Sequence, residues 1–486
     1  MNNLTSQSTK NLVSIMLGFA IGAVNTLVLY PYFFGAEKQG LVVFLLSVSN
    51  LLMPLIGFGV AQTIIKFHSS YPENEQQGFL SYVVLLPLLI ALPLGFVAVF
   101  FHDSVAALLS VKNPIIGTYT WVIFAVAFAT AYFEVFYSWA RVHFKSVLGN
   151  TLKEIYPRLS ILILLLLYAG NTINLNVFFW LLVGFYYLRL ALMIVIAFRI
   201  KLPKFNFQKP KNLKDLLRYS LYLILAASAG SLIIDIDKSM LSQYLDISQT
   251  GFYAVAIYTA TLIEVPGRAL FQILNPMVAK ALNEKNTSQL SKLYKDSSIN
   301  LLLLAGWFFL LVNGNISSLF ELLNDKGYGN AIWVVLMISF AKLVSMSSGA
   351  STTILINSKK YQTALLLTIF MAVFVVIGNI IFIPKYGING AAGTTLILVV
   401  LFAFIRMGFV YAYFGSQPYG KHTLYAFLLI AVVFFGGSFL HFNVHPFWEI
   451  ILKSIVITAV YASGVVGLKL SPTLHQMLKN RFKYFS

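Results

Sequence analysis

The sequence predicts an all-α polytopic membrane protein with about fourteen transmembrane helices. These form two pseudo-symmetric six-helix lobes followed by two C-terminal helices, with both termini cytoplasmic. Three observations predict it. Hydrophobic residues make up 59% of the 486 and charged residues 10%, and the mean hydropathy is +0.81, whereas a soluble chain is about a quarter charged. The apolar residues come in runs of about twenty, the length an α-helix needs to cross the hydrocarbon core. The Lys and Arg that lie outside the apolar runs fall mostly on alternate loops.

The predicted spans are 11–34, 41–65, 79–101, 115–138, 154–172, 175–198, 219–240, 251–279, 297–320, 331–356, 361–383, 388–414, 422–440 and 447–468. The first is too long for a signal-peptide core and lacks a small-x-small cleavage site, so it reads as a retained helix. The eighth carries Pro266 and Pro276, which predict a kink or tilt. With a cytoplasmic N-terminus, 23 of the 34 Lys and Arg fall in cytoplasmic segments and four in outer loops. The net charge of +18 is thereby accounted for without a nucleic-acid partner. The predicted organisation is an N-terminal lobe (1–198), a basic cytoplasmic linker (199–218), a C-terminal lobe (219–414), two further helices (415–468) and a basic tail (469–486). Six helices before the linker give the lobes one orientation. FFGAEKQGLV (33–42) and YLDISQTGFY (244–253) echo each other, with Gly40 and Gly251 in matching places.

The absence of cysteine excludes disulfides, thiolate metal sites and cysteine nucleophiles. The seven His show no metal-ligand spacing, so no metal and no cofactor is expected.

A charge inside a span costs about 2.5–3.5 kcal/mol and calls for a cavity or a partner. The basic residues placed there are Arg158, Arg189, Lys238, Arg268, Lys342, Arg406 and Lys453; the acids are Glu134, Glu154, Asp235, Asp237, Glu264 and Glu449. Glu134, Glu154, Arg158, Glu449 and Lys453 fall near predicted helix ends, where snorkelling accounts for them. On helix eight, Thr261, Glu264, Arg268, Gln272 and Asn275 share one face by their spacing. Helix seven repeats the pattern with Ser228, Ser231, Asp235, Lys238 and Ser242, and helix ten with Lys342, Ser345, Gly349 and Thr352. Helices one and two offer neutral faces that include Asn25, Ser47 and Asn50. Glu264–Arg268 and Asp235–Lys238 are also spaced as ion pairs that hold helices together, and that reading stays open beside a functional one. In the functional reading Arg268, Lys342, Lys238, Gln272, Asn275, Thr261, Asn25 and Asn50 line a partly cationic cavity, since guanidinium and ammonium groups are common partners of phosphate. Glu264, Asp235 and Asp237 then balance charge or bind a coupling Na+ or H+. Tyr30, Tyr258 and Trp307 are candidates to stack on sugar rings.

IFIPKYGINGAAGTTL (381–396), DKSMLSQYLDISQTGFY (237–253) and GFGVAQTIIK (57–66) resemble stretches of the polysaccharide-flippase branch of the multidrug/oligosaccharidyl-lipid/polysaccharide (MOP) exporter superfamily. YPYFFGAEKQG departs from that family's pattern by lacking an Arg. The resemblance implies two lobes around a central cavity, in the bacterial cytoplasmic membrane. It implies alternating access carrying a polyprenyl-pyrophosphate-linked oligosaccharide to the outer leaflet, beside other polysaccharide-assembly proteins. The competing readings are a peptidoglycan lipid-precursor flippase and a cation-coupled multidrug exporter. Helices one to three hold no intramembrane acid, which weighs against the exporter, and no large outer loop is present to carry the chemistry of a sugar polymerase.

Overall fold

The computed structural model describes residues 2–202, 213–323 and 327–471. The middle of the basic linker (203–212) and most of the basic tail (472–486) lie outside the described residues. Among these every regular element is helical, as the apolar runs require where no water is present to satisfy a backbone.

In chain order the helices begin with α1 (Asn2–Val24), a π-helical stretch (Asn25–Phe34) and α2 (Gly35–Ile56). They continue with α3 (Val60–Phe67), α4 (Glu73–Leu85), α5 (Leu88–Phe100), α6 (His102–Leu109), α7 (Ile115–Tyr119) and α8 (Trp121–Val142). Next come α9 (Val147–Glu154), α10 (Tyr156–Ala169), α11 (Leu175–Ile200), α12 (Leu213–Tyr244), α13 (Ile247–Thr261) and α14 (Val265–Asn283). The last are α15 (Thr287–Leu322), α16 (Ile332–Ser347), α17 (Ser351–Asn357), α18 (Tyr361–Phe414), α19 (Lys421–Ser438) and α20 (Pro446–Gly467). Asn174 and Asn286 cap α11 and α15 by accepting from Val177 N and Gln289 N.

Ten helices among the described residues are long and apolar enough to cross a membrane, or eleven if one bent pair is a single span. The expectation of fourteen exceeds this count for two physical reasons. Unbroken stretches cover two expected spans each at Val13–Ile56 and Tyr361–Phe414; the second, 54 residues long, contains Gly387 at φ 59, outside helical geometry. The expected fifth span is met by α10, only 14 residues long and preceded by the separate helix α9. The kink expected in helix eight is present: Leu262–Glu264 forms a 3₁₀ turn, and Ile247–Arg268 bends by 46° against Leu270–Asn283.

The chain forms two compact units, residues 1–254 with 379–387, and 255–378 with 388–486. In the first, α8 is the central helix, with 67% of its apolar window buried; Phe133, Val135 and Trp139 pack there against Val60, Leu80 and Met193. In the second, α15 has that place, with 61% buried and Leu302, Leu310 and Phe309 packed against Ile430 and Ile457. The other spans leave large apolar side chains exposed, such as Leu92, Phe100 and Val432, the surface that lipid covers.

Candidate functional site

Two groups of polar side chains stand out, one in each unit. In the first unit Asp235 on α12 is 6% exposed and collects three partners. Lys238 Nζ lies 2.8 Å from Oδ1, Ser47 Oγ donates to Oδ1 at 3.3 Å, and Asn50 Nδ2 donates to Oδ2 at 3.2 Å. The neutral face of helix two and the charged face of helix seven thus meet at one carboxylate. Asp237, two residues on, points elsewhere, as a helix requires. It accepts from Tyr253 Oη at 2.8 Å and from Asn379 Nδ2 at 2.7 Å.

Beside this group, helix two breaks. The chain leaves α2 at Ile56 and re-enters a helix at Val60, with Phe58 (φ 50) and Gly59 (φ 64) in the left-handed region. A Cβ on Gly59 would crowd the carbonyl oxygen of Ser220, so this turn needs a glycine for space as well as for its backbone angle. The break lines a cavity of about 430 Å³, whose polar wall is Gln62, Glu134 and Lys153. Lys153 Nζ is 2.6 Å from Glu134 Oε1. The sequence placed Lys153 in a cytoplasmic loop and attributed Glu134 to snorkelling. The short helix α9 carries Lys153 back to α8, where the two meet. No spacing rule reveals such a pair.

At the N-terminal ends of α2 and α13, a Cβ on Gly40 would collide with the Ile247 carbonyl oxygen, and one on Gly251 with that of Ala36. Both pairs are offset by 211 residues, so the echo seen in the sequence is a reciprocal contact in space. Asn113 clamps the adjoining turn: Nδ2 donates to the carbonyls of Ser242 (2.6 Å) and Leu245 (2.9 Å), and Oδ1 accepts from Ile247 N at 2.9 Å. Asn25 is buried in the π-helical stretch and donates to the Arg158 carbonyl at 2.7 Å.

In the second unit Glu264 Oε2 lies 2.9 Å from Lys342 Nζ on α16. The acid picked out by its spacing to Arg268 is therefore bonded across helices. Arg268, Gln272 and Asn275 form an exposed row along α14, and Thr353 Oγ1 donates to Asn275 Oδ1 at 2.9 Å. Thr261 bonds its own helix at the Ile257 carbonyl, and the bend after it ends the continuous five-residue face. Tyr30 is 5% exposed and packed on Phe34, which removes it as a sugar platform. Trp307 donates to Thr458 Oγ1 at 3.0 Å.

Residues 7–282, more than half of the chain, match the family model described as polysaccharide biosynthesis protein. The chain belongs to this family. Solved structures similar to this polysaccharide biosynthesis protein include the lipid II flippase MurJ in an inward closed conformation, at 15% identity and TM-score 0.71, over 94% of this chain and 98% of that one. A multidrug resistance MATE family transporter of the MOP superfamily in an inward-facing conformation matches at 16% identity and TM-score 0.54, over 89% and 95%. A MOP superfamily transporter from Pyrococcus furiosus matches at 15% and 0.50, over 84% and 95%. Comparison with curated protein sequences gives no match. This member of the polysaccharide biosynthesis protein family thus shares the fold of those structures, and its apolar helices make it a multi-pass membrane protein.

Proposed function

We propose that the protein is a flippase of the bacterial cytoplasmic membrane, moving a polyprenyl-pyrophosphate-linked oligosaccharide from the inner to the outer leaflet by alternating access. The observation that carries this reading is the exposed row Arg268, Gln272 and Asn275 on α14, headed by the Lys342–Glu264 pair. A guanidinium and an ammonium group suit a pyrophosphate, and amide side chains suit sugar hydroxyls. Glu264 holds the Lys342 charge until phosphate competes for it. Asp235 and Asp237 are the candidate groups for coupling to Na+ or H+, through exchange of their partners. The likeness to MurJ over nearly the whole chain favours a peptidoglycan lipid precursor as the second reading.

The test is protein reconstituted in liposomes with a labelled polyprenyl-pyrophosphate oligosaccharide, reading how much head group becomes accessible on the far side. Wild type flips it, and Arg268→Ala reduces the rate at least tenfold, about the worth of one charge-assisted contact. Equal rates would leave Arg268 outside the substrate path. Flipping of a peptidoglycan precursor alone would replace the substrate by that of the second reading.

A further inference from the structure

A second cavity, of about 300 Å³, lies within the second unit among α15, α19 and α20, and the transport reading makes no use of it. We propose that it binds a primary ammonium group, presented by a phospholipid headgroup.

Three helices build the site. From α15 come Asn313, Ser318 and Glu321; from α20 come Glu449 and Lys453; Phe434 of α19 forms an aromatic wall. Lys453 is 6% exposed and bonds Glu449 Oε1 at 2.7 Å, while Ser318 donates to Glu449 Oε2 at 2.8 Å. That pair is neutral in sum; Glu321 adds a further carboxylate to the lining and His441 an imidazole. Asn313 donates through Nδ2 to the Phe309 carbonyl at 2.9 Å, yet its Oδ1 is buried with no hydrogen-bond partner. A buried acceptor without a donor costs free energy unless something fills it. The lining therefore asks for a cation that donates hydrogen bonds and tolerates an aromatic face, which is the chemistry of an alkylammonium group.

Depth decides the source. Phe439, Phe447 and Trp448, close in the chain to the lining residues Ser438 and Glu449, are more than half exposed, as the aromatic belt of a membrane–water interface is. Lipid headgroups lie at that level.

The experiment uses the full chain in detergent, titrated with dioleoyl phosphatidylethanolamine or dioleoyl phosphatidylcholine and read by native mass spectrometry. The ethanolamine lipid binds about tenfold tighter, since its N–H donors reach acceptors that a trimethylammonium cannot. Asn313→Leu removes the orphan acceptor. Gly437→Leu fills the cavity from α19, where a Cβ meets only ordinary contacts with Ile457. Both variants erase the preference while keeping the wild-type melting temperature. Equal binding of the two lipids by wild type, or an undiminished preference in both folded variants, overturns the proposal. Competition by free ethanolamine as strong as that by the lipid assigns the ammonium to a soluble amine and overturns the headgroup. None of these outcomes depends on whether the protein flips a glycan.

Discussion

Helix two (α2 and α3) and helix eight (α13 and α14) follow the two echoed stretches at an offset of 211 residues, and they differ in what bends them. The offset carries Phe58, centre of the glycine break in helix two, onto Ala269, where helix eight bends by 46°. Helix two turns through left-handed residues and carries neutral donors, Ser47 and Asn50, to an acid on another helix. Helix eight turns beside Pro266 and carries its own acid, Glu264, to a lysine on another helix. The place of the bend is shared while the polarity of its bonds is inverted. An interrupted membrane helix needs partners for its freed backbone, but that need does not dictate which side supplies the charge.

The largest effect that separates the two helices is at the acid each one bonds through, Asp235 on α12 for helix two and Glu264 for helix eight. Asp235→Ala leaves a poorly exposed lysine and two donors without their acceptor, and costs about 3–5 kcal/mol. Glu264→Ala breaks a pair whose members keep 20% and 27% side-chain exposure, and costs about 1 kcal/mol. Thermal unfolding in detergent ranks the two; equal losses would remove the contrast. Next are the paired glycines. Gly40→Ala and Gly251→Ala each force a methyl group against the other helix's backbone, for about 1–3 kcal/mol apiece. The double variant costs less than the sum, because one separation of the helices relieves both. Strict additivity would break the reciprocity. Gly59→Ala places a side chain in the left-handed region at a cost of about 1–2 kcal/mol.

The smallest effect lies where helix two ends. His68 follows α3, where the offset puts Ala279 in helix eight. Burial, then the neighbouring His143 and Lys201, push its pKa down from 6.5 to about 4. The unfolded chain binds more protons across that window, so His68 contributes stability above pH 6.5 that is lost as pH falls toward 4. His68→Gln flattens the melting temperature between pH 6.5 and 4.5 relative to wild type.

The helical class was legible because apolar run length and charge sidedness are imposed by the bilayer itself. The Asp235–Lys238 pair was legible because three residues of helix set it. The partner of Glu264 was not, since Arg268 and Lys342 are equally good partners in charge and only packing chooses. Glu134 and Lys153 escaped for a similar reason: a predicted loop that folds into a short helix returns its charge to the membrane-embedded unit. Asn113 gave no signal, because a lone asparagine between α6 and α7 resembles any turn residue until the backbone it clamps is in place.

The contact of Gly40 with Ile247 and of Gly251 with Ala36 bears on how the two halves of the gene can change. Each glycine is kept small by a carbonyl belonging to the other half, so a larger residue on either side is paid for by both. At this one crossing the two helices share a single mutational fate, while a few turns away their charges have been free to part.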